Sequence, residues 1–356
     1  MWRERSEQPA DAVPAPRDVP RGALRASRQA TRRTSRRTEW LLINPHLAVW
    51  GLAFLHWLPA ILSIDAISRL GARIAVHAGP RTRRHGRAVA NIARAFPALS
   101  HAEHDRIARG SWENFGRTIA ESFIIDKIAV DESRVVCSDA FRVAARRIGL
   151  AGGDAEGKER AGGAIFVGLH YGNWEATVIP AARLGERPLG IYKPLRNSHA
   201  DAYLRELRRD LFPGGLLPAS PATLLKVARH VRDGGSMCML ADHRDQNGTV
   251  VPFFGHPAPS AVLPAMLSIK YGLPVFAARV DRLDGVRFSV HVEEVVAPRT
   301  GDRQVDIIAT TAAIQAVFER WITARPEHWV WFYNRWATVS GAAPDAAAAQ
   351  AAVQPA

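Results

Sequence analysis

The sequence predicts an α/β fold: a central, mostly parallel or mixed sheet flanked by helices, with a membrane-associated helix at the N-terminus. Three features predict it. From residue 164 onward, short apolar runs alternate with stretches of helical spacing. The runs carry few polar residues, as strands covered on both faces do. Ahead of them, residues 40–64 form one long apolar stretch.

Residues 1–38 are rich in Arg, Pro and Ala and nearly devoid of large apolar side chains. Such a segment buries too little to offset the entropy of ordering, so a disordered basic extension is expected. It ends in the cluster Arg32-Arg33-Thr34-Ser35-Arg36-Arg37. Residues 39–65 follow as a membrane-associated apolar helix. The stretch exceeds the roughly 20 residues that cross a hydrocarbon core, and Trp40, Trp50 and Trp57 suit the headgroup region. Asn44, His46, His56, Pro45 and Pro59 interrupt it. It is too long for a secretory signal peptide, and no small-residue cleavage site stands out. Arginines flank both sides, the later set being Arg69, Arg73, Arg81, Arg83, Arg84 and Arg87. The positive-inside rule would keep both flanks cytoplasmic, which suits an interfacial or re-entrant helix on anionic lipid. Spanning, lying on the surface and burial in a soluble core all stay open.

Residues 66–338 read as one domain. The stretch 80–130 is helical, broken at Pro97; Ser100 and Glu103 form a capping box for the helix carrying Ile107, Trp112, Phe115, Ile119 and Phe123. The Gly-rich segment 151–163 reads as a loop. Strands are expected at 164–169, 188–192, 236–241, 274–279 and 287–293. Helices are expected at about 173–184, 198–210, 221–232, 260–271 and 303–324. Ser220 and Pro221 make a cap and first turn. The Ala-rich tail, 339–356, is expected to be disordered.

A chain of 356 residues with 47% hydrophobic content can bury a large core. Its net charge of +13 points to an anionic partner. The excess is almost all arginine in an Ala-, Gly- and Pro-rich chain, which a GC-rich coding bias also produces. The tryptophans near Arg335 do not form the basic-aromatic platform of a nucleic-acid module. Cys137 and Cys238 form no Cys-x-x-Cys pair, and two thiols make no disulfide framework.

The chemistry-bearing stretch is Gly168-Leu169-His170-Tyr171-Gly172-Asn173-Trp174-Glu175. His170 follows a buried strand and precedes a helix, where α/β folds often carry reacting groups. Glu175, in the helix's first turn, is expected to fix the imidazole tautomer and stabilise the imidazolium. Free N–H groups at the helix start are expected to receive negative charge. A histidine followed by an acid fits a structural pair as well. His-Glu-x-x-His and Gly-x-Ser-x-Gly are absent, and no Ser or Cys stands out as a nucleophile, so direct attack by a substrate hydroxyl is the natural reading. Lys193, Arg196 and Arg244, near strand ends, suit lipid phosphates or plain solvated surface. Asp242 reads as a structural or cation-orienting carboxylate, and Phe253-Phe254 as core or acyl groove.

The Gly-Asn-Trp-Glu portion and its histidine resemble the His-x4-Glu signature of the bacterial lipid A late acyltransferases, the lauroyl- and myristoyltransferase branch of the lysophospholipid acyltransferase superfamily. Further blocks extend the resemblance over about residues 40–337. Asn91 through Pro97 resembles an Asn-x-x-x-Ala-Phe-Pro stretch. Tyr192-Lys193-Pro194 resembles a Tyr-Arg-Pro block, with Lys193 in place of Arg. Ala241 to Asp245, Val251 to Ala258, and Pro326-Glu327-His328-Trp329 resemble later blocks.

The resemblance implies a glycerolipid-acyltransferase-like fold. It makes His170 the general base and Glu175 its partner; Asn173, Lys193, Arg196, Asp242 and Arg244 are expected to bind substrate. It implies acyl carrier protein or acyl-CoA as donor, a lipid hydroxyl as acceptor, and neither metal nor cofactor. The expected place is the cytoplasmic face of a bacterial inner membrane, on an anionic lipid surface, without nucleic acid. A lipid A precursor is the expected acceptor; another glycolipid or phospholipid, such as a phosphatidylinositol mannoside, and a non-catalytic lipid-binding role are the alternatives.

Overall fold

The computed structural model describes residues 61–147, 163–195 and 197–336. The expectations for 1–38, for most of 39–65, for the loop at 151–163 save its last residue, and for 339–356 lie outside the described residues, as does Arg196. Among the described residues, no helix is long and apolar enough to cross a membrane.

Four helices open the domain: α1 (Ile64–Ala78), α2 (Arg83–Ala95), α3 (His101–Ser122) and α4 (Ile125–Val130). Local chemistry sets their ends. Ser63 caps α1, and Ser100 and Glu103 cap α3 reciprocally, as the capping box predicts. Glycines let α1 approach α3: a Cβ on Gly71 would lie 2.4 Å from the Gly116 carbonyl oxygen. That approach buries Ile67 and Ala72 while Leu70 and Ile74 on α1 stay exposed.

The remaining elements alternate. They are β1 (Val135–Cys137), α5 (Asp139–Arg147), β2 (Ile165–Gly168), a 3-10 turn (Trp174–Val178), α6 (Ile179–Arg183), β3 (Leu189–Tyr192), α7 (Ser198–Leu207), β4 (Gly215–Pro218), α8 (Pro221–Arg232) and β5 (Met237–Leu240). There follow β6 (Thr249–Phe253), β7 (His256–Ser260), α9 (Leu263–Tyr271), β8 (Val275–Arg282), β9 (Phe288–Glu294), α10 (Arg303–Ala324) and a closing 3-10 turn (Pro326–His328). Seven strands form one sheet in the order β1-β9-β8-β2-β5-β3-β4. Neighbours run parallel except β8 and β9, which are antiparallel.

The central strands are apolar throughout because both faces are covered. Ile165 and Val167 point into a core shared with Val275, Ala277, Phe318 and Trp331. Phe166 points the other way, stacking on Phe276 with centroids 5.7 Å apart. Each such large side chain contributes about 1.5–3 kcal/mol by leaving water.

The helices expected at 221–232 and 303–324 are present with those bounds, and the five expected strands and the helices at 198–210 and 260–271 are present with shifted ends. The helix expected at 173–184 is a 3-10 turn running into the short α6, since Pro180 has no N–H to carry an α-helical ladder through. The sequence reading missed β1, β4 and the separate antiparallel hairpin β6–β7. β1 and β4 are short edge strands. β7 carries Pro257 and Pro259, which argue against a strand in any central position.

Candidate active site

His170 lies two residues beyond β2, and Asp242 two residues beyond β5. Those strands are parallel neighbours in which Gly168 pairs with Leu240. Equal overhangs therefore bring the two side chains to one level at the C-terminal edge of the sheet. Ala241 N–H donates to the Gly168 carbonyl at 2.8 Å and continues the ladder.

The His170 ring bonds through Nδ1 to Asp242 Oδ1 at 2.8 Å. His170 N–H donates to Oδ2 at 2.8 Å, as does Trp329 Nε1–H at 2.8 Å. Asp242 is fully buried, its side chain 0% exposed. Burial by itself would raise its carboxyl; the charge and hydrogen bonds of His170, and then the charge of His243, hold it well below the usual carboxylate range. An ionised carboxylate can only accept, so Nδ1 carries a proton, and in the neutral imidazole the lone pair lies on Nε2. Trp174, His243 and Tyr333 surround the ring, with centroids 5.1, 4.3 and 5.2 Å away.

This corrects the role read for Glu175. Its carboxylate is held by Arg208: Nε donates to Oε2 at 2.7 Å and Nη2 to Oε1 at 2.6 Å. The residue is second in the 3-10 turn and its carboxylate meets the end of α7, while Asp242 accepts from the imidazole. Asn173 is corrected too. It is buried, its Oδ1 accepts from Glu175 N–H and its Nδ2 donates to Glu121 Oε2 at 2.8 Å, so its polar atoms bind protein. Glu121, fully buried, also accepts from Ser68 and from both Arg282 Nη groups. Asp242 is likewise enclosed, acting on His170 rather than facing ligand.

Several of the expected free N–H groups are also spent. Tyr171 N–H donates to the Leu169 carbonyl, Gly172 N–H to His328, and Ala176 N–H to Asn173. Gly172 has φ +56°, and a Cβ there would sit 1.8 Å from the Val280 carbonyl oxygen, so the loop needs glycine. Asn114 and Thr118 of α3 donate to the Gly172 carbonyl at 3.0 and 2.9 Å.

Lys193, exposed, follows β3 on the same edge of the sheet, close enough for its charge to act on His243. Arg244 is half-buried two residues past Asp242 and is engaged by other groups. Phe253 is fully buried core. Sequence reasoning missed Arg208, Trp329, His243, Tyr333, Glu121 and Arg282. For Asp242 a signal existed: its overhang beyond a strand equals that of His170.

His170, Asp242 and His243 hold ligand-type atoms within 4.8 Å of one another and could gather around a metal ion. Both Asp242 oxygens, however, already accept N–H groups, so the set is arranged as a hydrogen-bonded dyad with a neighbour. Burial, and then the charge of His170, lowers His243 to about 4, although 47% of its side chain is open to solvent. A cleft of about 770 Å³ lined by Arg187, Lys226, Arg229 and His230 opens by Leu189 and Gly235, at the opposite strand ends.

Residues 35–338 match the family model described as bacterial lipid A biosynthesis acyltransferase. The chain belongs to that family. No curated protein sequence matches it closely enough to add a relative. The acyltransferase thus carries its dyad where a parallel sheet presents reacting groups. The family implies an acyl donor and a lipid acceptor. The block at 326–332 and Asn91, noted as family-like in the sequence, meet around this site. Asn91 Nδ2 donates to the carbonyls of Trp331 and Tyr333 at 2.7 and 2.8 Å, Ser111 Oγ to that of Trp329 at 2.6 Å, and Val330 N–H to that of His170 at 3.1 Å.

Proposed function

We propose that the protein moves a fatty acyl chain from a thioester, on acyl carrier protein or CoA, to a hydroxyl of a lipid A precursor. The observation that carries this is the His170 Nδ1–Asp242 bond, which leaves Nε2 as a base. Nε2 takes the acceptor's O–H proton as its oxygen attacks the thioester carbonyl. The tetrahedral adduct collapses, the C–S bond breaks, and the imidazolium returns the proton to the leaving thiolate. Asp242 stabilises the imidazolium between these steps. No acyl-enzyme forms. Such a base contributes about 10²–10⁴-fold. Glu175 acts at one remove, tied to Arg208, holding the turn that follows His170. Lys193 and Arg196, on the segment after β3, are proposed to attract acceptor phosphate, with Lys193 keeping the charge but not the bidentate geometry of Arg.

The site works at the cytoplasmic face of a bacterial inner membrane in this reading. Exposed Leu70 and Ile74 on α1, beside exposed Arg69 and Arg73, support contact with anionic lipid. The deciding experiment compares lipid A by mass spectrometry from strains with and without the gene, alongside acyl transfer by purified wild type and His170→Ala. An unchanged lipid A acyl pattern refutes the acceptor. No transfer to any lipid by wild type refutes the enzyme reading and leaves a lipid-binding protein.

A further inference from the structure

An oxygen attacking a thioester drives negative charge onto the carbonyl oxygen, and a donor must meet it. The peptide N–H groups of His170, Tyr171, Gly172, Glu175 and Ala176 are all committed within the protein. The Trp329 indole N–H is committed to Asp242. A side chain facing the His170 ring can supply that donor.

Tyr333 meets the requirement. Its ring stands 5.2 Å from both His170 and His243, and it is half-buried. Its backbone is pinned by Asn91 and its ring packs on Phe332, so its position is set by α2 and the closing segment. Among the described residues its hydroxyl makes no hydrogen bond. We propose that the Tyr333 hydroxyl donates to the thioester carbonyl oxygen as His170 removes the acceptor proton, a catalytic role that rests on the acyl-transfer reading above. Its phenol is also raised above the ordinary value, by burial first and the Asp242 charge second, so it stays a donor through neutral and mildly alkaline pH.

In the full chain, with acyl-CoA or acyl carrier protein thioester as donor and lipid A precursor as acceptor, Tyr333→Phe is expected to lower kcat about 10²-fold and leave KM within about twofold. Fluorotyrosines at position 333 add a readout that packing alone would not move: kcat should rise with the acidity of the phenol. If Tyr333→Phe does not fold, by circular dichroism, the fluorotyrosine series decides. Unchanged kcat in Tyr333→Phe, a loss carried by KM, or a series flat in acidity overturns the proposal. So does a large kcat loss in His243→Ala beside an active Tyr333→Phe, which would move the donor to His243. A wild type without acyl transfer strikes the parent reading; an active wild type with an indifferent Tyr333→Phe strikes only this one.

Discussion

The imidazole of His170 depends on a buried carboxylate with no free oxygen, and that dependence can be measured. Asp242→Asn keeps the volume but offers one acceptor oxygen where three N–H groups need partners. It is expected to lower kcat by about 10³–10⁴-fold, because the imidazole loses its tautomer control and its counter-charge; an active Asp242→Asn would detach Asp242 from the chemistry. The same carboxyl sets a pH dependence of stability. Its folded value is depressed, so its contribution is complete above the unfolded value of about 3.9 and is lost as pH falls through the lower folded value. Urea unfolding of wild type and Asp242→Asn should therefore show a constant gap above about pH 5 that closes in more acid solution. Glu175 is testable at the same scale. Glu175→Gln strands the mostly buried Arg208 guanidinium, at a cost of about 2–4 kcal/mol. Adding Arg208→Gln should recover part of that loss in a double-mutant cycle. If Glu175→Gln instead keeps its melting temperature and loses activity, Glu175 belongs to the chemistry after all.

Among the elements, the loop after β2 is clamped from three sides: by α3 through Asn114 and Thr118, by β8 through the close Val280 carbonyl, and by the closing segment through His328 and Val330. Gly172→Ala is strained in backbone and blocked in space, and should destabilise by about 2–4 kcal/mol, read as a lower urea midpoint. Much of this scale was legible in the sequence. The capping box at Ser100, the cap at Ser220 and the apolar periodicity all act within a few residues, and the helices they predict are present. The 3-10 turn at Trp174–Val178 was not legible, because its geometry answers to Asn173, whose side chain is held by Glu121 on α3. The edge strands were hidden by their brevity, and the hairpin β6–β7 by its prolines.

At the scale of the whole molecule, the proposed membrane contact falls on one face of α1. Leu70 and Ile74 lie exposed on α1, four residues apart and hence on one face, with Arg69 and Arg73 next to them. Leu70→Glu with Ile74→Glu is expected to lower the fraction of protein that sediments with vesicles containing anionic phospholipid. An unchanged bound fraction removes the α1 face from the contact. The buried network of Glu121, Arg282, Ser68 and Asn173 ties α1, α3, β8 and the turn after His170 together.

The sequence by itself determined the α/β class, most helix limits, the strand that presents His170 and, through its motif blocks, the family. These follow from local periodicity and spacing, which nearby residues enforce. The partner of His170 was decided only in three dimensions. Asp242 lies 72 residues away and arrives because β2 and β5 align Gly168 with Leu240. Glu175, near in sequence, turns to Arg208 instead. Register between strands distant in sequence settles which carboxylate meets the imidazole; the equal overhangs are legible locally, but the pairing of β2 with β5 is not.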